Sequence, residues 1–433
     1  MKLSLEKGFA IFSLLFFTGT LNFNSLFMAS EGIETTQAIE AYNPLLPLLS
    51  LTQHGIFLVS AILLIARWKI SIRTVLRNKF IFILVFLFLL SCLWSVYPDL
   101  TLRRSLALAE TTIFATYLAS RFTLKEQFKL LTWTLGISMV INIMLTLGLP
   151  SSAIESGKHV GAWRGAIENK NYFGRLMALC TLVFGIAEPE SRRHNALLKV
   201  GFCLSLVLLI LSSSKTALVS IVYLWLVLLP IYKSTQWNFR IATVFQSIFF
   251  LIMGCGLVLI ASNLDSIATV FGRDLTLTGR TGIWLAVFTK LQEQPLLGYG
   301  YYGFWNRLDG PSRDVIEAVG NNYIVPHSHN GFLELALATG ILGVATFAIS
   351  FLLVCRKSIT QIYLGKEHTR NFWPVLYLSF LMIYNLTENT LVSHNSVFWV
   401  IYVSLALSNF SSYPGKCYQK RDENAPLTSY YAK

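Results

Sequence analysis

Apolar residues run along this chain in stretches far too long for the buried face of a soluble helix. Runs of roughly 17–22 apolar residues read as spanning helices. Twelve such runs are predicted, at about 8–28, 45–66, 80–97, 102–120, 130–148, 171–188, 197–213, 215–231, 242–262, 331–354, 372–388 and 395–411. The fold class is therefore an all-α polytopic membrane protein. The N-terminal run from Gly8 to Met28 follows Lys2 and Lys7 and is long enough to span, so it reads as an uncleaved first helix rather than a signal peptide.

Polar residues set the sides. With the N-terminus inside, 23 of the 35 Lys and Arg residues fall on cytoplasmic segments, including Arg67 to Lys79, Arg121 to Lys129 and the tail after 411. Cytoplasmic loops carry such an excess, so both termini are placed inside. One segment breaks the pattern of short connections: residues 263–330 form an extracytoplasmic loop of 68 residues, and connections of that length are uncommon unless functional. The organisation is thus 1–262 with nine spans, 263–330 as the large loop, 331–411 with three spans, and 412–433 as a cytoplasmic tail. A smaller outside loop runs from Leu149 to Lys170.

Composition agrees with this picture and narrows it. The 433 residues are 54% hydrophobic and only 13% charged, and mean hydropathy is +0.57. That excludes a cytosolic enzyme, a disulfide-stapled secreted domain and a disordered chain. The net charge of +13 reflects the cytoplasmic basic excess, and no nucleic-acid partner is implied. The six cysteines form no CxxC pair and neighbour no His at ligand spacing, so neither a zinc site nor a structural disulfide is expected.

The chemistry gathers outside. In the large loop, Arg280 opens a helical pattern with Trp284 on its apolar side, running to about Gln292. A cation is disfavoured beside the positive end of a helix dipole, while a cation and a helix N-terminus together make a good anion site. The run Pro295 to Trp305 holds Gly298, Gly300, Gly303 and aromatics including Tyr299; those rings suit either sugar stacking or an interfacial belt. His327 and His329 stand where the chain re-enters the membrane, with Glu334 about one turn further on. Histidine is the common general base near neutral pH. Glu334 either orients an imidazole or pairs with a cation. In the smaller loop Arg164 and Lys170 precede Arg175, which falls one turn inside a span and is a functional candidate on that ground. Glu110, in the fourth span, is a candidate partner for Arg175. Lys215 adds an outside cation between spans seven and eight.

Three segments taken in order resemble the bacterial O-antigen polymerases and ligases, and within them the exopolysaccharide polymerases. They are Trp163-Arg164-Gly165 with Asn169-Lys170-Asn171, Gly279-Arg280-Thr281-Gly282-Ile283-Trp284 with Gly298-Tyr299-Gly300, and His329-Asn330-Gly331-Phe332-Leu333-Glu334 with Gly340-Ile341-Leu342-Gly343. The resemblance covers roughly residues 80–410. It implies a glycosyltransferase-C-like helical fold in the bacterial inner membrane. It also implies inverting, metal- and cofactor-independent glycosyl transfer on the extracytoplasmic face. The donor it implies is an oligosaccharide on undecaprenyl diphosphate, drawn from membrane lipid, with a chain-length regulator protein as a candidate partner.

Carried over by motif, Arg164, Arg280 and His329 are the catalytic candidates. Lys170, Arg175, Lys215, His327, Glu334, Trp284 and Tyr299 are candidates for substrate binding. Without a metal, arginines must neutralise the diphosphate leaving group, and a histidine must activate the attacking sugar hydroxyl. A ligase acting on lipid A core shares this chemistry, and a lipid-linked glycan transporter is the alternative from another class.

Overall fold

The computed structural model describes residues 2–23, 44–156, 159–234, 241, 280–305, 310–319, 325, 327–364 and 372–410. The expected span at 242–262, much of the large loop, and the tail after 411 lie outside the described residues. Among those described, the elements are helical throughout, with a single isolated bridge between Ile154 and Trp163.

In chain order the helices are α1 (Lys2–Phe17), α2 (Leu46–Ala66), α3 (Trp68–Leu76), α4 (Phe80–Leu90), α5 (Pro98–Arg121), α6 (Leu124–Gly148), α7 (Pro150–Ala153) and α8 (Lys170–Ile186). They continue as α9 (Arg192–Leu211), α10 (Lys215–Tyr223), α11 (Leu229–Ser234), α12 (Arg280–Glu293), α13 (Arg313–Val319), α14 (Gly331–Leu364), α15 (Trp373–Asn385) and α16 (Val397–Leu407). A π turn over Leu224–Leu228 joins α10 to α11.

Helices α2, α6, α9 and Gly331–Ile362 of α14 are long and apolar enough to cross a membrane. The pair Trp68–Leu76 and Phe80–Leu93 passes the same test jointly but is bent by 87°. The chain is a multi-pass membrane protein. The run expected at 80–97 is thus a shorter helix preceded by a separate amphipathic one, whose Trp68, Ile70, Ile72 and Leu76 are exposed. The first helix starts at Lys2 and ends at Phe17, where Gly19 turns left-handed at φ +79°. The expected run is therefore interrupted at Gly19, and its last part, 24–28, lies outside the described residues.

Burial sorts the helices. Every residue of α16, from Val397 to Leu407, is buried, so this helix, apolar all round, forms the centre. It packs on α5, which also holds α2; α8 packs against α9 and α10, and α4 against α14. By contrast α2 leaves Leu48, Leu51, Leu58, Ile62 and Ile65 exposed, the surface expected to face lipid.

Helix α14 is broken at Thr339 and Gly340, the latter at φ +59° and ψ −158°, a region essentially confined to glycine. The segment 295–300 fills the break by exchanging hydrogen bonds with it. The Tyr299 and Gly300 N–H groups donate to the Leu337 and Ala338 carbonyls at 2.7 and 3.1 Å. The Ile341 and Leu342 N–H groups donate back to the Pro295 and Leu296 carbonyls at 2.9 and 3.5 Å. Four backbone groups at the break thus find partners on that segment, as apolar surroundings favour. The approach is close: a Cβ on Gly298 would sit 2.4 Å from the Leu337 carbonyl oxygen, and one on Gly340 2.3 Å from the Leu296 carbonyl. One glycine from each of two family-like segments, Gly298 and Gly340, therefore lets their backbones meet.

Gly340→Ala is expected to destabilise the protein by about 1–3 kcal/mol from backbone strain alone. The loss should appear as a lower midpoint of thermal aggregation in detergent. Gly282→Ala, where an added Cβ meets nothing within 4 Å, is the control expected to melt like the wild type. Equal midpoints for both variants would dispose of that contact.

Candidate active site

The histidine segment is held from three sides. Asn330 caps α14, its Oδ1 accepting from the Phe332 and Leu333 N–H groups at 2.9 and 3.1 Å, while its Nδ2 donates to the Leu386 carbonyl at 3.1 Å. Glu334, half-buried one turn on, accepts from the Ser328 N–H at 2.5 Å and the Trp305 indole at 2.9 Å. Trp284 of α12 donates its indole N–H to the Ser328 carbonyl at 2.8 Å. Among the described residues Glu334 meets neither an imidazole nor a cation; it fixes the backbone between the two histidines.

That clamp sets the imidazoles. His329 sits at φ +52°, and the two rings lie 4.1 Å apart between centroids. The His329 N–H donates to His327 Nδ1 at 3.1 Å. His327 Nδ1 is thus an acceptor, which places the neutral ring's proton on Nε2 and leaves no free lone pair. Burial, then the charges of Arg280 and Arg175, pushes the His327 pKa down to about 4. Burial and the neighbouring His327 and Arg280 hold His329 well below its ordinary value too.

Behind His329 lies a residue absent from the sequence-derived candidates. Glu388 is 4% exposed, and its Oε2 stands 4.0 Å from His329 Nδ1, beyond hydrogen-bond range. Its Oε1 accepts from Arg280 at 3.0 Å and from Asn171 Nδ2 at 3.4 Å. Arg280 also donates to the Thr387 carbonyl. The Arg280 cation at the start of α12, unfavourable on dipole grounds, is thereby matched by a buried carboxylate. His329 Nδ1 is buried with no hydrogen-bond partner among the described residues.

The same turn after α15 reaches Arg175, which donates to the Thr390 hydroxyl and lies over the rings of Tyr172 at 4.6 Å and Phe398 at 4.7 Å. Glu110 is committed elsewhere, accepting from Gln53 at 2.6 Å and His54 at 2.8 Å, so it is not the partner of Arg175. Lys215 is exposed at the start of α10, beside Thr216, whose hydroxyl is 3.1 Å from that of Thr387.

Arg164 is anchored on its own segment, its Nε donating to the Ser152 carbonyl at 3.0 Å. Burial lowers its pKa, opposed by the charge of Glu155. Glu155 also accepts the Lys170 N–H at 2.6 Å, where α8 begins. Tyr299 is 9% exposed and packs edge-on to Phe304, with its hydroxyl on the Lys290 carbonyl at 2.7 Å. Its ring is part of the packing under α12 rather than a free stacking face.

A cavity of about 1180 Å³ adjoins this cluster, with His327, Arg175, Tyr172 and Glu334 in its wall. It is large enough for several sugar rings, and its wall mixes aromatic and charged groups as glycan sites do.

Residues 200–348 match the model of a family described as O-antigen ligase. A second similarity is to the exopolysaccharide production protein ExoQ of Rhizobium meliloti (strain 1021), 34% identical over 85 residues. Both matches support the O-antigen polymerase and ligase family. The ExoQ alignment covers 19% of this chain and 19% of that relative's length. The family match takes in Arg280, His327, His329 and Glu334, whereas Arg164, Arg175 and Glu388 lie outside it. The site is completed by helices beyond the matched segment.

Proposed function

We propose that this chain polymerises saccharide units carried on undecaprenyl diphosphate, by inverting, metal-independent glycosyl transfer on the extracytoplasmic face of the cytoplasmic membrane. The twelve-span, glycosyltransferase-C-like arrangement and the large loop at 263–330 belong to this reading. The observation that carries it is the His329–Glu388–Arg280 cluster, in which a neutral imidazole faces a buried carboxylate held by an arginine, beside a cavity whose wall includes His327 and Arg175.

The step balances on these groups. An acceptor hydroxyl oxygen attacks the anomeric carbon, and its proton passes to His329 Nε2. Glu388 faces Nδ1 and stabilises the imidazolium that forms; catalytic hydrogen bonds of this kind tighten when substrate binds. The bond from the anomeric carbon to the carrier diphosphate breaks, and the diphosphate leaves with the electron pair. Arg280, Arg175 and Lys215, with Arg164 and Lys170, supply the cations for that charge. One displacement inverts the anomeric centre. His327, whose Nδ1 is already an acceptor, positions His329. The ExoQ similarity favours a polymerase; the family description favours a ligase that moves the glycan to another lipid.

Sizing the glycan left on the carrier after gene deletion separates the two. Single units are expected to accumulate. Long chains would mean a ligase, and an unchanged carrier pool would remove glycosyl transfer altogether.

The pH dependence follows from the imidazoles. Burial disfavours their charged forms, so the base form persists well below the ordinary histidine range, to about pH 4 for His327. In the unfolded chain the same groups charge near pH 6.5. They therefore oppose folding increasingly as pH falls below that value. The free-enzyme profile, kcat/KM against pH, is expected to show no acidic limb near 6.5. Half-maximal activity at that pH would contradict a buried neutral base.

A further inference from the structure

The turn between α15 and α16 presents three residues to three arginines in sequence: Glu388 to Arg280, Thr390 to Arg175, and His394 to Arg104. The first two contacts belong to the site above. The third does not. Arg104 of α5 donates to His394 Nε2 at 2.8 Å and lies over the Tyr302 ring at 5.5 Å. A guanidinium can only donate, so Nε2 accepts and the histidine proton is on Nδ1. That Nδ1 is buried and has no acceptor among the described residues. Burial and the charges of Arg104 and Arg103 hold His394 neutral, its pKa well below the ordinary value. Arg103, Arg104, Tyr302 and His394 all line the cavity that His327 and Arg175 line. The wall also holds four carboxylates, Asp99, Glu110, Glu168 and Glu334, of which Glu110 is held by Gln53 and His54 and Glu334 by Trp305 and Ser328.

Two adjacent arginines in one cavity wall, one of them fixed by an imidazole acceptor, suit phosphate oxygens. Their position bears on which phosphate. Six residues separate Glu388 from His394, so the two anchors are at most about 20 Å apart along the turn. In a polymerase both substrates carry a lipid diphosphate. The donor's diphosphate is at the reacting carbon. The acceptor's is at the opposite end of its glycan from the attacking hydroxyl, and so needs a separate place.

We propose that Arg104, Arg103 and His394 form a second diphosphate subsite, which holds the carrier of the acceptor glycan while Arg280 and His329 act on the donor. This rests on the polymerase reading. A ligase taking a different acceptor would not need it.

The test uses the purified full chain in nanodiscs, with an undecaprenyl-diphosphate-linked donor and two alternative acceptors. One acceptor is the repeat unit on undecaprenyl diphosphate; the other is the same oligosaccharide free at its reducing end. In Arg104→Ala the ratio of rates, lipid-linked over free acceptor, is expected to fall by about tenfold or more, the scale of a lost charge-assisted hydrogen bond. Arg104→Lys, which keeps the charge, should fall less. Arg103→Ala carries the test by the same ratio if the Arg104 variants do not fold. An unchanged ratio overturns the subsite. So does a loss that appears only with anionic phospholipid in the nanodisc, which would make the grouping a headgroup site. Absence of transfer by the wild type to either acceptor instead overturns the polymerase reading itself.

Discussion

Replacing His329 with alanine is expected to lower the rate of glycan polymerisation by about 10²–10⁴-fold, the usual contribution of a positioned general base. The protein should still accumulate in the membrane, because the clamp on this segment runs through Ser328, Asn330, Glu334 and Trp284 and leaves the His329 ring out. His327→Ala should cost less. Its Nδ1 accepts the His329 N–H, so losing it loosens a ring without removing the base. Initial rates on a purified lipid-linked substrate, with thermal midpoints alongside, separate the variants. If His329→Ala kept more than a tenth of the wild-type rate while His327→Ala did not, the two assignments would exchange.

Arg280→Lys should cost about 10²–10³-fold, comparable to losing one preorganised donor at a developing anion. Lysine keeps the charge but not the fork that lets Arg280 reach Glu388 and the Thr387 carbonyl together. The deficit should lie in kcat rather than KM, because the charge on the diphosphate grows as the bond breaks. Glu388→Gln makes a useful companion. It keeps the shape, removes the counter-charge facing His329 Nδ1, and should lower the rate without unfolding the protein. Wild-type kcat in Arg280→Lys would mean that the guanidinium serves only to hold Glu388.

Much of the fold is plain in the apolar runs. The segments at 45–66, 130–148 and 197–213 emerge as helices α2, α6 and α9 within a few residues, because a lipid-facing helix must be apolar along its length whatever its neighbours. Interruptions were harder to read. The 87° bend after Leu76 and the break at Gly340 arise from packing between distant segments, and no local pattern announces them. The site divides the same way. His329, Arg280 and Arg175 stand out as ionisable groups at the mouths of apolar runs, and the structure brings all three to the turn 387–390 or to Glu388 within it. Glu388 was hidden at the end of a run counted as 372–388, although a carboxylate inside an apolar stretch is itself a signal. Tyr299 misled for the opposite reason: an aromatic beside glycines looks like a binding platform, and here it is packing.

The exchange of hydrogen bonds at the break in α14 also bears on how the protein is made. Until residues 295–300 are seated, the Leu337 and Ala338 carbonyls can accept from the Ile341 and Leu342 N–H groups, four residues on, as in an unbroken helix. The helix can therefore insert unbroken, and docking of the segment before it opens the turn at Gly340 by trading two helical hydrogen bonds for four to the segment. The segment leads directly into Tyr301, whose hydroxyl accepts the His394 N–H, and on to Trp305, the partner of Glu334. An assembly intermediate that reaches the membrane with this exchange unfinished would hold a continuous, fully paired helix and an incomplete site.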